Sequence, residues 1–139
     1  MSSDTSAENA QEMLSPILPY IDGIIWVLND VPVESPCARY LESVKGAGRI
    51  IHRSWPDYRH WHAMNETLFT GLIQEDDWCV WTDLLEHPSP AFLSRVKSEI
   101  GPMMMEAEVG CLFAWGKPYL FPYRETLEYR NTPHWSLHG

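Results

Sequence analysis

The sequence is short of basic residues, short of cysteine, and has no long apolar run. Ten Lys and Arg stand against 19 Asp and Glu in 139 residues, a formal charge of −9. A surface that tracks nucleic-acid phosphates needs clustered Lys and Arg, so a general nucleic-acid binder is excluded. The same balance leaves room for an anionic nucleotide held through a divalent cation, because carboxylates bind the cation and the cation neutralises the diphosphate. The three cysteines, Cys37, Cys79 and Cys111, are widely spaced and form no CxxC pair. Neither a disulfide framework nor a cysteine-rich zinc site is therefore expected, and free, buried thiols are. No apolar stretch approaches the roughly 20 residues that span a bilayer. The opening MSSDTSAENAQE is polar and slightly acidic rather than a secretory leader, so the expected location is the cytoplasm. There is also no Gly-x-Ser-x-Gly elbow, no cysteine-nucleophile pattern and no internal repeat.

What is present suits one globular domain. The hydrophobic share is 45%, an ordinary value, and the length is enough to bury a core. Residues 1–9 read as a flexible start and residues 10–139 as a single α/β domain. Apolar positions Met13, Leu14, Ile17 and Leu18 recur at helical spacing, predicting a helix over Ala10 to Leu18 that Pro16 and Pro19 limit. Ile24 to Leu28 is a continuous apolar run and predicts a strand buried on both faces. Ser35-Pro36 and Ser89-Pro90 each read as a helix start, with Ser as N-cap and Pro at the first helical position. The first such helix ends before Gly46 or Gly48, and the second runs to about Ile100 before a break at Gly101-Pro102. Arg49 to His52 and Asp77 to Thr82 predict further strands, with a helix from Asn65 to Leu72 between them. Val109 to Trp115 and Pro118 to Tyr123 predict short strands joined as a hairpin. Alternating strands and helices imply a mostly parallel sheet with helices on its faces, an αβα sandwich.

In an open α/β sheet, ligands collect beyond the carboxyl ends of the strands. Two predicted strand ends carry acids. One ends in Asn29-Asp30. The other, DWCVWTDLLEHP, ends at Asp83, with Glu86 three residues on. Two acids so spaced can converge on one hard cation or one hydroxyl, or serve only as a cap and a solvated charge. His60 with His62 and His134 with His138 have metal-ligand spacing, but no HExxH accompanies them. Trp55, Trp61, Trp115 and Trp135 could stack on a sugar ring or pack, whereas Trp26, Trp78 and Trp81 lie in predicted strands and read as structural. Met103 to Met105 read as apolar filler or a partner surface.

The order YIDGIIWVLND, ESP, GAGRIIHRSW, MNETLFTGLI and EDDWCVWTDLLE resembles the glycosyltransferase domain of GT-A type, the family-2-like nucleotide-sugar transferases. The collinear match covers Ala10 to about Phe92. The resemblance implies a GT-A three-layer fold without its usual first strand, with short β segments at the C-terminal end. It implies transfer of a sugar from a nucleotide-diphosphate donor, UDP-type, to an unknown acceptor, assisted by Mn²⁺ or Mg²⁺. Asp30 or Asn29 matches the acid that contacts the donor's uracil or ribose. Asn65 matches the Asn of an Arg-Asn element whose Arg position is Met64, with Arg59 nearby. Asp83 and Glu86 match the acids at the metal and diphosphate, and His134 the late His that completes the metal site. Leu85 stands where the second acid of the D-x-D motif falls. The alternative expectation is a non-catalytic binding or interaction protein on the same scaffold, of phage-type accessory kind, acting through a homo-oligomer.

Overall fold

The computed structural model describes residues 7–44, 47–54, 65–82, 88–114, 117–130 and 136–138. The chain is α/β. It forms two compact units, Met1–Arg59 with Asp83–Leu93, and His60–Thr82 with Ser94–Gly139.

The first unit is built on a β-α-β element. Helix α1 (Ala7–Leu14) buries Ala10, Met13 and Leu14, with Ile17 continuing the same spacing. It starts three residues earlier than the apolar pattern predicts and ends at Leu14 rather than Leu18. Pro16 has no N–H to continue the ladder. The chain tightens instead into a 3₁₀ turn, Leu18–Tyr20, where Tyr20 N–H donates to the Ile17 carbonyl at 2.9 Å. Strand β1 (Ile24–Asn29) follows, then helix α2 (Pro36–Ser43) and strand β2 (Ala47–Arg53). The Ser35 start is as expected: Ser35 Oγ accepts from Ala38 N–H at 3.2 Å, with Pro36 opening the helix. Cys37, Ala38, Leu41 and Val44 form its buried face, and α2 packs on α1 and β2. β1 and β2 pair in parallel, from Ile24 opposite Ala47 to Asn29 opposite Arg53, with a bulge after Ile24. A parallel pair needs a long crossover, and α2 supplies it. The expectation that β1 is buried on both faces needs correction. Trp26 and Leu28 on one face are buried, while Ile25, Val27 and Asn29 on the other are half-buried.

The second unit centres on an antiparallel sheet. Strand β3 (Trp78–Val80) and strand β4 (Leu112–Ala114) flank strand β5 (Lys117–Pro122) in the order β3-β5-β4. The hairpin expected over 109–123 is therefore present, with Ala114 opposite Lys117. β3, however, pairs antiparallel with β5, not in a parallel sheet, with Cys79 opposite Phe121. Strands β6 (Glu128–Arg130) and β7 (Ser136–His138) form a further antiparallel pair. One of the four described pairings is thus parallel and three are antiparallel. Leu68, Phe121 and Tyr123 form the core on one face of the β3-β5-β4 sheet, with Ile73, Cys79, Trp81, Cys111 and Leu127 packed around them. The Tyr123 hydroxyl donates to the Leu68 carbonyl at 3.3 Å.

Two helix predictions change. Residues 65–68 are helical, but the helix does not reach Leu72. The Thr70 hydroxyl accepts the Leu72 N–H at 3.2 Å, and Gly71 at φ +78° turns the chain away. Nor does Gly101-Pro102 break the later helix. Helix α3 (Pro90–Arg95), with Ser89 Oγ accepting Phe92 N–H at 3.3 Å, runs into a π turn, Val96–Ile100, and on into helix α4 (Gly101–Glu106). Gly101 N–H donates to the Val96 carbonyl five residues back. That wider turn accommodates Pro102, which has no N–H to give and would crowd the carbonyl of a regular α turn.

Candidate functional site

The carboxyl edge of the β1–β2 pair is where an α/β element presents groups to a ligand. Asn29 ends β1 opposite Arg53. Asp30 then takes a left-handed backbone, φ 59°, and its N–H donates to the Arg53 carbonyl at 2.9 Å. Asp tolerates that conformation better than most residues, though it remains uncommon. One carboxylate oxygen of Asp30, Oδ1, accepts from the Ser54 hydroxyl at 2.5 Å, so the two strand ends are tied by backbone and side chain together. Both residues are exposed. The Arg53 guanidinium turns back to the His52 carbonyl at 2.9 Å. Behind this edge, parallel register puts Trp26 and Leu28 on the same sheet face as Ile50 and His52. Trp26 Nε1 and His52 Nδ1 are buried there with no hydrogen-bond partner among the described residues.

The sequence-predicted residues fall in three places. Asn29 and Asp30 form the edge just described. Asn65 belongs to the second unit, half-buried at the start of the 65–68 helical turn, where its carbonyl accepts Phe69 N–H at 3.0 Å. Arg59, Asp83, Leu85, Glu86 and His134 lie outside the described residues, as do His60 and His62. Among the described residues no three His, Cys, Asp or Glu side chains converge in a way that could hold a metal ion.

Sequence reasoning missed Ser54, which lies 24 residues from Asp30 and carries no motif. It also missed an acidic turn in the second unit. Arg124 Nη1 donates to Asp76 Oδ1 at 2.7 Å and its Nε lies 3.7 Å from Glu75 Oε1. Glu75 Oε2 accepts Glu125 N–H at 2.9 Å, and Asp77 Oδ2 accepts Gln74 N–H at 2.9 Å. The pairs join the loop entering β3 to the loop leaving β5, so their reading is structural. They are exposed ion pairs of modest worth, with backbone hydrogen bonds adding the geometry.

The thiols are free, as expected. Cys37 is buried, and Cys79 and Cys111 are half-buried. Burial, with the Asp77 charge adding to it, pushes the Cys79 thiol up to about 12. Burial raises Cys111 to about 11 against an opposing backbone hydrogen bond from Tyr119, and burial raises Cys37 as well. Thiols this reluctant to ionise are poor nucleophiles and poor metal ligands at neutral pH. No helix among the described residues is long and apolar enough to cross a membrane.

No protein-family model matches the chain, and no characterised protein or solved structure matches it either.

Proposed function

We propose that the chain is a glycosyltransferase-like protein that binds a nucleotide-diphosphate sugar, UDP-type, at the carboxyl edge of β1–β2. The observation that carries this reading is Asp30. It stands at the end of the first strand of a parallel β-α-β unit, its backbone and one carboxylate oxygen held. That is the position at which the resemblance has an acid contacting uracil or ribose. A carboxylate only accepts hydrogen bonds, and uracil N3–H and the ribose hydroxyls are donors. In the same reading Asp83 and Glu86, with His134, hold Mn²⁺ or Mg²⁺ at the diphosphate. Such an ion offsets the charge that develops on a leaving diphosphate. The GT-A three-layer arrangement, with Asn65 and Arg59 near the donor, belongs to the same proposal.

Thermal denaturation with UDP, a UDP-sugar and Mn²⁺ tests it. Ligand at a hundredfold excess over its dissociation constant adds about 2.7 kcal/mol to stability, a melting shift of several degrees for a domain of this size. Asp83→Asn is expected to abolish the Mn²⁺-dependent part of the shift. Absence of any nucleotide or metal shift would sink the reading.

One observation favours the second reading, a non-catalytic interaction protein. In the second unit Phe69, Met103, Met105 and Phe113 are all more than half exposed, and Phe113 sits on the edge strand β4. Leu85 in place of a metal-binding acid points the same way. On that reading sedimentation finds a stable homo-oligomer indifferent to nucleotide, and a monomer would count against it.

A further inference from the structure

We infer that Ser54 is a positioning residue for the Asp30 carboxylate, and through it sets which nucleotide the β1–β2 edge selects. The inference rests on the nucleotide-binding reading of that edge. Asp30 is exposed, and an exposed carboxylate ordinarily samples several rotamers. Here its backbone is fixed by the left-handed φ of 59° and by the 2.9 Å bond from its N–H to the Arg53 carbonyl. The Ser54 hydroxyl then donates to Oδ1 at 2.5 Å, which fixes the carboxylate as well. Among the described residues no other bond to the carboxylate accompanies it, and Oδ2 is the oxygen that accepts from a ligand in this reading. Because Ser54 follows β2 directly and Asp30 follows β1 directly, the contact depends on the parallel register that sets Asn29 opposite Arg53.

The consequence is pre-organisation. A side chain already ordered does not have to be ordered when a ligand binds, and freezing one rotamer-rich side chain costs affinity. A fixed acceptor also discriminates. It meets a donor such as uracil N3–H or a ribose hydroxyl, and it repels a lone pair such as cytosine N3. A carboxylate released from Ser54 would swing to suit either, so both affinity and selectivity should fall together.

Calorimetric titration of UDP, CDP and 2′-deoxy-UDP with Mn²⁺ tests this on the wild type, Ser54→Ala, Ser54→Thr, Asp30→Asn and the Ser54→Ala/Asp30→Asn pair. Ser54→Ala is expected to weaken UDP roughly 3- to 10-fold, the range for immobilising one side chain on binding. It should also narrow the preference for UDP over CDP if the base is read, or over 2′-deoxy-UDP if the sugar is read. Ser54→Thr, which keeps the hydroxyl, should restore both, and Ser54→Ala should cost nothing further once Asp30 is Asn. The inference is overturned if wild type binds UDP and Ser54→Ala binds it equally well. Equal weakening of all three nucleotides, or a full additional loss on the Asp30→Asn background, overturns it too, since a merely structural role would do that. No heat from any nucleotide on the wild type would instead overturn the binding reading beneath it.

Discussion

Three non-glycine residues among those described hold a positive φ: Asp30 at 59°, Asp76 at 74° and Glu108 at 56°. The left-handed region costs an L-residue roughly 1–2 kcal/mol, and the three positions answer that cost in two ways. Asp30 and Asp76 are tied by their side chains, to Ser54 and to Arg124. Glu108 instead ends helix α4. Its N–H donates to the Met105 carbonyl at 3.2 Å while Val109 N–H reaches the Met104 carbonyl at 2.8 Å, the paired closure that glycine usually occupies. Glu108→Gly is therefore expected to raise stability by about 0.5–1 kcal/mol, since relief of strain exceeds the added unfolded-state entropy of glycine. Urea denaturation measures it, and a midpoint that falls would contradict the helix-end geometry. At Asp30 the same substitution separates two roles. Asp30→Gly should change stability little, relief of strain offsetting the lost Ser54 bond, while removing nucleotide binding, as expected where strain is kept for function. If the variant still bound UDP with wild-type affinity, Asp30 would not be the contact. Asp30 was legible in the sequence because an acid after an apolar run marks a strand end. Its partner Ser54 was not, because the bond exists only once two distant strands have set their register.

At the scale of elements, local signals were legible and long-range pairing was not. Both Ser-Pro helix starts are confirmed by their Oγ hydrogen bonds, and the apolar run Ile24 to Leu28 became β1. β3 misled because a short apolar strand looks the same whether its partner is parallel or antiparallel. Its neighbour is β5, about 40 residues later, and nothing within Asp77 to Thr82 encodes that. The supposed break at Gly101-Pro102 failed for a packing reason. A Cβ built on Gly101 would lie 2.7 Å from Cε2 and Cζ2 of Trp78 and 2.8 Å from the Val96 carbonyl oxygen. Gly101 is thus there to let the Trp78 ring of β3 approach the helix backbone, and not to end the helix. Gly101→Ala should gain up to about 1 kcal/mol of helix propensity yet lose about 1–3 kcal/mol to overpacking, a net destabilisation. Near-UV circular dichroism should change with it, because the ring must shift. Combining it with Trp78→Phe, which removes the two crowded ring carbons, should cost less than the two single changes summed. Simple additivity would show that the ring and the glycine do not meet.

For the molecule as a whole, the thiols link stability to pH on the alkaline side. Cys79 and Cys111 titrate at about 12 and about 11 when folded, against an ordinary thiol value of 9.0. Burial also raises Tyr123, with Glu125, Cys79 and Glu75 adding like charge. The folded chain therefore keeps protons that the unfolded chain releases above pH 9. The stability tied to these groups is complete below about pH 9 and is lost as pH rises toward 11 and 12. Each fully linked thiol contributes a slope of about 1.4 kcal/mol per pH unit across that window. The opposite limb, acid loss through depressed carboxylates, has no counterpart in these groups. Urea midpoints measured from pH 8 to pH 10.5 should hold steady to about 9 and then fall. Cys79→Ala and Cys111→Ala will lower the starting value by leaving space in the Leu68–Phe121–Tyr123 core, so the slope above pH 9 is the quantity to compare. It should become shallower in each single variant and shallowest in the double, with the Tyr123 share remaining. An iodoacetamide assay at pH 8 gives the kinetic counterpart: all three thiols should resist alkylation in the folded chain and react once urea unfolds it. Rapid labelling of Cys79 in the native state, or an unchanged slope in the double variant, would mean that the β3–β5 core is open to water and that burial does not hold its thiols neutral.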